Sequence, residues 1–167
     1  VFRRDSMMDI LQKFINLEIT EDKKNGKKET KKTLVFPRYH QLDVVRKLIA
    51  DVTKNGAGQR YLIQHSAGSG KSNSIAWVAY RLATIFKKDN EPLFKSVIIV
   101  TDRRVLDKQL QNTVSGMDHV KGFIETIDES KHAKDLKTAI NDGARIIVTT
   151  LQKFPVIYSE VEAAHGK

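Results

Sequence analysis

Apolar residues recur along this chain at two spacings, and the alternation between them outlines a fold. Met7, Ile10, Leu11, Phe14 and Leu17 fall at helical intervals and predict a helix over Ser6–Glu18. Leu42, Val45, Leu48, Ile49 and Val52 form a second stripe. Phe36-Pro37 opens that helix, because proline in a first turn gives up an N–H that has no helical partner. The stretch NGAG, Asn55 to Gly58, ends it. Ile75, Val78, Ala79, Leu82 and Ile85 predict a third helix over Ser72–Phe86. Further helices are expected over Arg104–Asn112 and Glu129–Ile140, and a short one begins at Leu151 and is cut by Pro155.

Short uninterrupted apolar runs lie between these stripes. Tyr61–Gln64 (YLIQ), Ser96–Thr101 (SVIIVT) and Arg145–Thr150 (RIIVTT) read as strands, the last two as strands buried on both faces. Val120–Ile124 is a weaker strand candidate. Strands and helices therefore alternate from Arg60 to Thr150, which predicts an α/β fold with a mostly parallel sheet and crossover helices.

Charge adds a partner class. The chain has 167 residues, enough for one domain with a real core, and 29 Lys+Arg against 20 Asp+Glu give a net charge of +9. That balance favours polyanions. Glu21–Lys32, EDKKNGKKETKK, carries six of the lysines, has no apolar periodicity, and is expected to be a loop or linker. There is no cysteine, so neither a disulfide framework nor a thiolate metal site is available. No apolar run approaches the roughly 20 residues of a membrane span. The opening VFRRDSMMDI has neither an initiator methionine nor a signal-peptide core, so a piece of a longer chain is expected.

The chemistry concentrates in Gln64–Ser72, QHSAGSGKS. A phosphate-binding loop has the pattern G-x-x-x-x-G-K-[ST] between a strand and a helix. Both flanks are predicted here, but His65 stands where the first glycine usually falls. Backbone N–H groups of Ala67, Gly68, Ser69, Gly70, Lys71 and Ser72 would wrap the β-phosphate, aided by the positive end of the following helix. Lys71 would reach the β- and γ-phosphates and Ser72 would hold Mg²⁺. His65 is expected to pack or face solvent.

FPRYHQLDVV, IQHSAGSGKS, VIIVTDRRVLDKQL and RIIVTTLQKFP follow one another in an order that resembles the first RecA-like lobe of superfamily 2 helicases and translocases. The wording is similar above all to the restriction (motor) subunit of type I restriction-modification enzymes. The resemblance covers Phe36–Pro155. It implies a three-layer RecA-like domain over residues 34–167, entered through a helix and lysine-rich linker over residues 1–33. It implies an ATP-dependent DNA translocase with Lys71 in the catalytic role and ATP with Mg²⁺ as cofactors. Arg38 and Gln41 would join the nucleotide site, Gln41 at the adenine edge. Thr101, Arg103, Arg104, Thr149 and Thr150 would track the phosphates of double-stranded DNA. Methylation and specificity subunits would be partners in the cytoplasm. The family's acidic D-E-x-H motif and second lobe are absent from this sequence, so the chain alone is expected to bind nucleotide without turnover. Another superfamily 2 helicase acting on DNA or RNA stays open, as do a small-molecule P-loop kinase and a bare nucleotide-binding module.

Overall fold

The computed structural model describes residues 3–24, 27–101, 110, 112–114, 116, 122–127 and 133–151. The chain divides into two units, Val1–Val78 and Ala79–Lys167.

In the first unit, α1 (Arg4–Lys13) buries Ile10, and Phe14, the residue that caps its C-terminus, is buried as well; both belong to the predicted stripe. α2 (Tyr39–Asn55) buries Leu42, Val45, Ile49 and Val52. Phe14 meets Trp77, midway along α3 (Lys71–Ala83), with ring centroids 5.7 Å apart. Arg46 of α2 fixes α1 alongside. Its guanidinium donates to the Asp9 carboxylate at 2.9 and 3.0 Å and to the Ser6 hydroxyl at 3.0 Å. Gly56 closes α2 with a φ of 73°, its N–H donating to the Val52 carbonyl at 2.8 Å.

Four expectations change here. α1 stops at Lys13, and Leu17, which shares its spacing, instead lies opposite Leu34 in a β-ladder. The lysine-rich run is not a loop. β1 (Asn16–Lys24) pairs antiparallel with β2 (Lys27–Val35), so backbone hydrogen bonds supply the order that apolar periodicity could not. β2 also runs through the boundary expected between residues 33 and 34. Tyr61–Gln64 forms no strand among the described residues. Its N–H and C=O groups have no ladder, and Leu62 is 94% exposed where a core strand was expected.

In the second unit, β3 (Val97–Thr101), β4 (Ile124–Ile127) and β5 (Ile146–Thr150) form a parallel sheet in the order β3-β5-β4. β5 is central and all five of its residues are buried, as its continuous apolar run predicts. Val97 and Ile124 both register on Ile146. α4 (Ala133–Asn141) contributes Ala139 to a cluster with Ile127, Ala144 and Ile147, with Ile140 packed against it. Arg145, just before β5, donates to the carbonyls of Ala83 and Lys95 and stands over the Phe86 ring.

α3 ends at Ala83, short of the predicted Phe86. The Thr84 hydroxyl turns back onto the Tyr80 carbonyl, and Phe86 forms a bridge with Pro92. The weak strand lies at Ile124–Ile127, four residues beyond its expected start. Most of the predicted Arg104–Asn112 helix, the start of the Glu129 helix and everything from Gln152 onward lie outside the described residues. A parallel sheet with crossover helices is nevertheless the α/β class the sequence predicts, and it suits a RecA-like ATPase lobe. No described helix is long and apolar enough to cross a membrane.

Candidate nucleotide site

The glycine-rich loop runs directly into α3, whose first residue is Lys71. Gly68 and Gly70 have φ of 72° and 80°, a region that side chains rarely adopt. The two glycines are therefore what let the loop curl onto the helix N-terminus. A weak turn bond from the Ser69 N–H to the Ser66 carbonyl, 3.4 Å, helps close the curl.

Lys71 folds back over the loop. Its ammonium donates to the Ser66 carbonyl at 2.8 Å and to the His65 carbonyl at 3.3 Å. Both partners are neutral and the side chain is exposed. Moving the ammonium from these carbonyls to an anionic oxygen would replace neutral acceptors with a charge-assisted bond.

The back of the loop is held by the first turn of α2. The Gln41 side chain is 3% exposed. Its Oε1 accepts from the Arg38 N–H at 2.8 Å, the helix-capping half of a capping box. Its Nε2 donates to the Ser69 carbonyl at 3.2 Å and to the Gly70 carbonyl at 2.9 Å. The Gly70 carbonyl also takes the Ser74 N–H at 3.3 Å. The fit leaves no room for a side chain, since a Cβ on Gly70 would lie 2.5 Å from Gln41 Nε2. His40 adds a ring nitrogen 3.1 Å from the Ser69 carbonyl, and its ring stands edge-on to His65 at a centroid distance of 5.1 Å.

These placements alter the reading of several residues. The Gln41 amide, expected at an adenine edge, has both N–H donors engaged on the loop. Arg38 caps α2 through its backbone, with its side chain exposed. His65 stands edge-on to the His40 ring. Ala67 and Gly68 are exposed, while Gly70 and Ser72 are half-buried. Ser69 is buried, and its hydroxyl has no partner among the described residues. An orphaned hydroxyl, two left-handed glycines and a lysine resting on neutral carbonyls form a donor set that fits an anionic phosphate.

His40 had no role assigned from sequence. Its one signal there was its position beside Gln41 in the first turn of a helix.

The expected DNA-contact residues separate. Thr101 and Thr150 are register partners at the ends of β3 and β5. Thr101 is half-buried, but Thr149 and Thr150 are 0% and 4% exposed. Both belong to β5, the central strand of the sheet. The Thr149 hydroxyl has no partner among the described residues. Arg103 and Arg104 lie outside the described residues.

The chain is 27% identical over 154 residues to the type I restriction enzyme HindI endonuclease subunit of Haemophilus influenzae. The alignment takes in 90% of this chain and 14% of that protein, so the chain spans a small part of its relative's length. Residues 40–165 match the family described as SWI2/SNF2 ATPase. That match begins at the histidine behind the phosphate loop and includes the loop, α3 and all three strands of the parallel sheet. The match over residues 40–165, glycine-rich loop included, makes this chain a member of the SWI2/SNF2 ATPase family.

Proposed function

We propose that this chain is the ATP-binding lobe of the DNA-translocating motor in a type I restriction endonuclease subunit. The observation that carries the proposal is the loop itself: Gly68 and Gly70 curled onto the start of α3, with Lys71 resting on exchangeable carbonyls. The similarity to a restriction endonuclease subunit supports the choice of parent.

In this reading, the N–H groups of Ala67–Ser72 receive the phosphates. The Lys71 ammonium leaves the Ser66 and His65 carbonyls to offset negative charge on the β- and γ-phosphates, and it is the residue here that acts on the reacting group. The Ser72 hydroxyl would hold Mg²⁺, which would supply charge neutralisation on the phosphates. Residues beyond this chain complete the hydrolytic site, and cycles of nucleotide binding and release drive movement along double-stranded DNA. Methylation and specificity subunits are the partners, and the cytoplasm is the compartment. α1 and the hairpin lead into the motor lobe.

The test is titration calorimetry of Mg·ATP against the full-length protein and its Lys71→Ala variant. Loss of a charged donor to phosphate is expected to weaken binding by roughly tenfold or more. Equal affinity in the two proteins would remove the assignment.

A further inference from the structure

We propose that His40 is a positioning residue of the phosphate loop: together with Gln41 it saturates the Ser69 carbonyl and so fixes the direction of the N–H groups that receive phosphate. The inference rests on the nucleotide-site reading above and extends it to a residue with no assigned part in it.

A carbonyl oxygen has two lone pairs. At Ser69 both are met from the same side, by His40 Nε2 at 3.1 Å and Gln41 Nε2 at 3.2 Å. The acceptor is a carbonyl, so the hydrogen is on Nε2 of His40. A peptide group is planar, and every peptide bond described here is trans. Holding the Ser69 oxygen toward α2 therefore turns the Gly70 N–H away from it. The next peptide is held in the same sense. The Gly70 oxygen takes the second Gln41 hydrogen and the Ser74 N–H, which turns the Lys71 N–H away from α2. These two N–H groups belong to the set expected to face phosphate.

The need for a second holder follows from the glycines. Gly68 and Gly70 both sit at positive φ, and glycine crosses between left- and right-handed regions more freely than any other residue. The Ser69–Gly70 peptide has one of these glycines directly after it and turns over more easily unless its oxygen is held. Gln41 has one amide to divide between two carbonyls, and His40 provides the second donor at the first of them. His65, edge-on at 5.1 Å, braces the His40 ring from the loop side. This gives the histidine at the first loop position a packing role in the same assembly.

Four versions of the full-length protein test the inference: wild type, His40→Phe, His40→Gln and Lys71→Ala. Phenylalanine keeps an aromatic edge for His65 and loses the donor. Glutamine places an amide N–H near the position of Nε2. Affinity is measured for Mg·ATP and for inorganic tripolyphosphate, which carries phosphates and no base. Melting without nucleotide reports folding. His40→Phe is expected to weaken both ligands by roughly three- to tenfold, the worth of one hydrogen bond, with His40→Gln regaining most of the loss. Should His40→Phe fail to fold, His40→Asn replaces it, because its shorter amide cannot reach the Nε2 position.

Unchanged affinity in the donor-less variant, with Lys71→Ala impaired, overturns the role of His40 and leaves the nucleotide site standing. Loss confined to ATP with tripolyphosphate unaffected also overturns it, since the effect would then lie at the base. A glutamine variant as weak as phenylalanine reduces His40 to a packing residue. Lys71→Ala binding as tightly as wild type takes down both readings together.

Discussion

Gly70 carries two constraints that Gly68 does not. Both glycines have positive φ, but a Cβ on Gly68 would meet nothing within 4 Å, while one on Gly70 would meet the Gln41 amide at 2.5 Å. Gly68→Ala should therefore cost about 1 kcal/mol of backbone strain. Gly70→Ala should cost that and also displace Gln41, taking one donor from each of the Ser69 and Gly70 carbonyls and stranding the Arg38 N–H, for about 2–4 kcal/mol in all. Urea unfolding of the two variants compares them directly, and equal losses would mean that the Gln41 contact carries no weight. At this scale the sequence was informative where chemistry is local. The spacing of Gly68, Gly70, Lys71 and Ser72 before a helix marks the loop without reference to anything distant. The partners of Gln41 and His40 were not legible, because they lie 28 or 29 residues away along the chain and depend on how α2 docks behind the loop. The burial of Thr149 and Thr150 was hidden for a similar reason. Two threonines at a strand end look like surface hydroxyls until the strand is known to be central.

Among the elements, α2 is tied at its far end as well as at its first turn. The Tyr61 hydroxyl donates to the Asp51 carboxylate at 2.5 Å, and Asn55 donates to the same group at 2.9 Å. Tyr61 first and Asn55 second hold the Asp51 carboxyl below its usual range, while Asp51 raises the Tyr61 phenol. A lowered carboxyl stabilises the fold above its unfolded pKa and loses that contribution as pH falls through the folded value. A raised phenol acts in the opposite sense, its contribution present below the unfolded pKa and lost as pH rises through the folded one. The melting difference between wild type and Tyr61→Phe should therefore be flat near neutrality. It should close in acid below the ordinary carboxylate range of about 4, and close again in strong base above about 10. A difference that persisted unchanged to pH 2 would rule out the Asp51 contact as its source. The stripe of α2 and the runs of β3 and β5 were legible because their periodicity is strong. The hairpin was overlooked although Asn25-Gly26 lies between the paired Lys24 and Lys27, and that dipeptide is favoured in two-residue hairpin connections. Tyr61–Gln64 failed in the opposite way, since apolar composition makes a strand only when a neighbour supplies the ladder.

Across the whole molecule, a net charge of +9 favours polyanionic partners. The two sheets differ most in how far the chain must travel to close them. β1 meets β2 across a two-residue connection, whereas β3 finds β5 only after the chain has passed from Thr101 to Ile146 and has also brought in β4. Loop closure sets the pace of such events, and a hairpin forms in roughly 1–10 μs, while pairing between distant segments waits on the search that joins them. Refolding should therefore have an order in time. Pulse-labelled amide exchange is expected to find the N–H groups of Asn16–Val35 protected early and those of Val97–Thr101 and Ile146–Thr150 protected together and later. If β3 acquired protection before β5, a pairing other than the one described would be guiding it. Until β5 arrives, β3 has an unpaired edge and its apolar side chains in water, so crowding during synthesis threatens this strand first, and the arrival of β5 ends its exposure to aggregation.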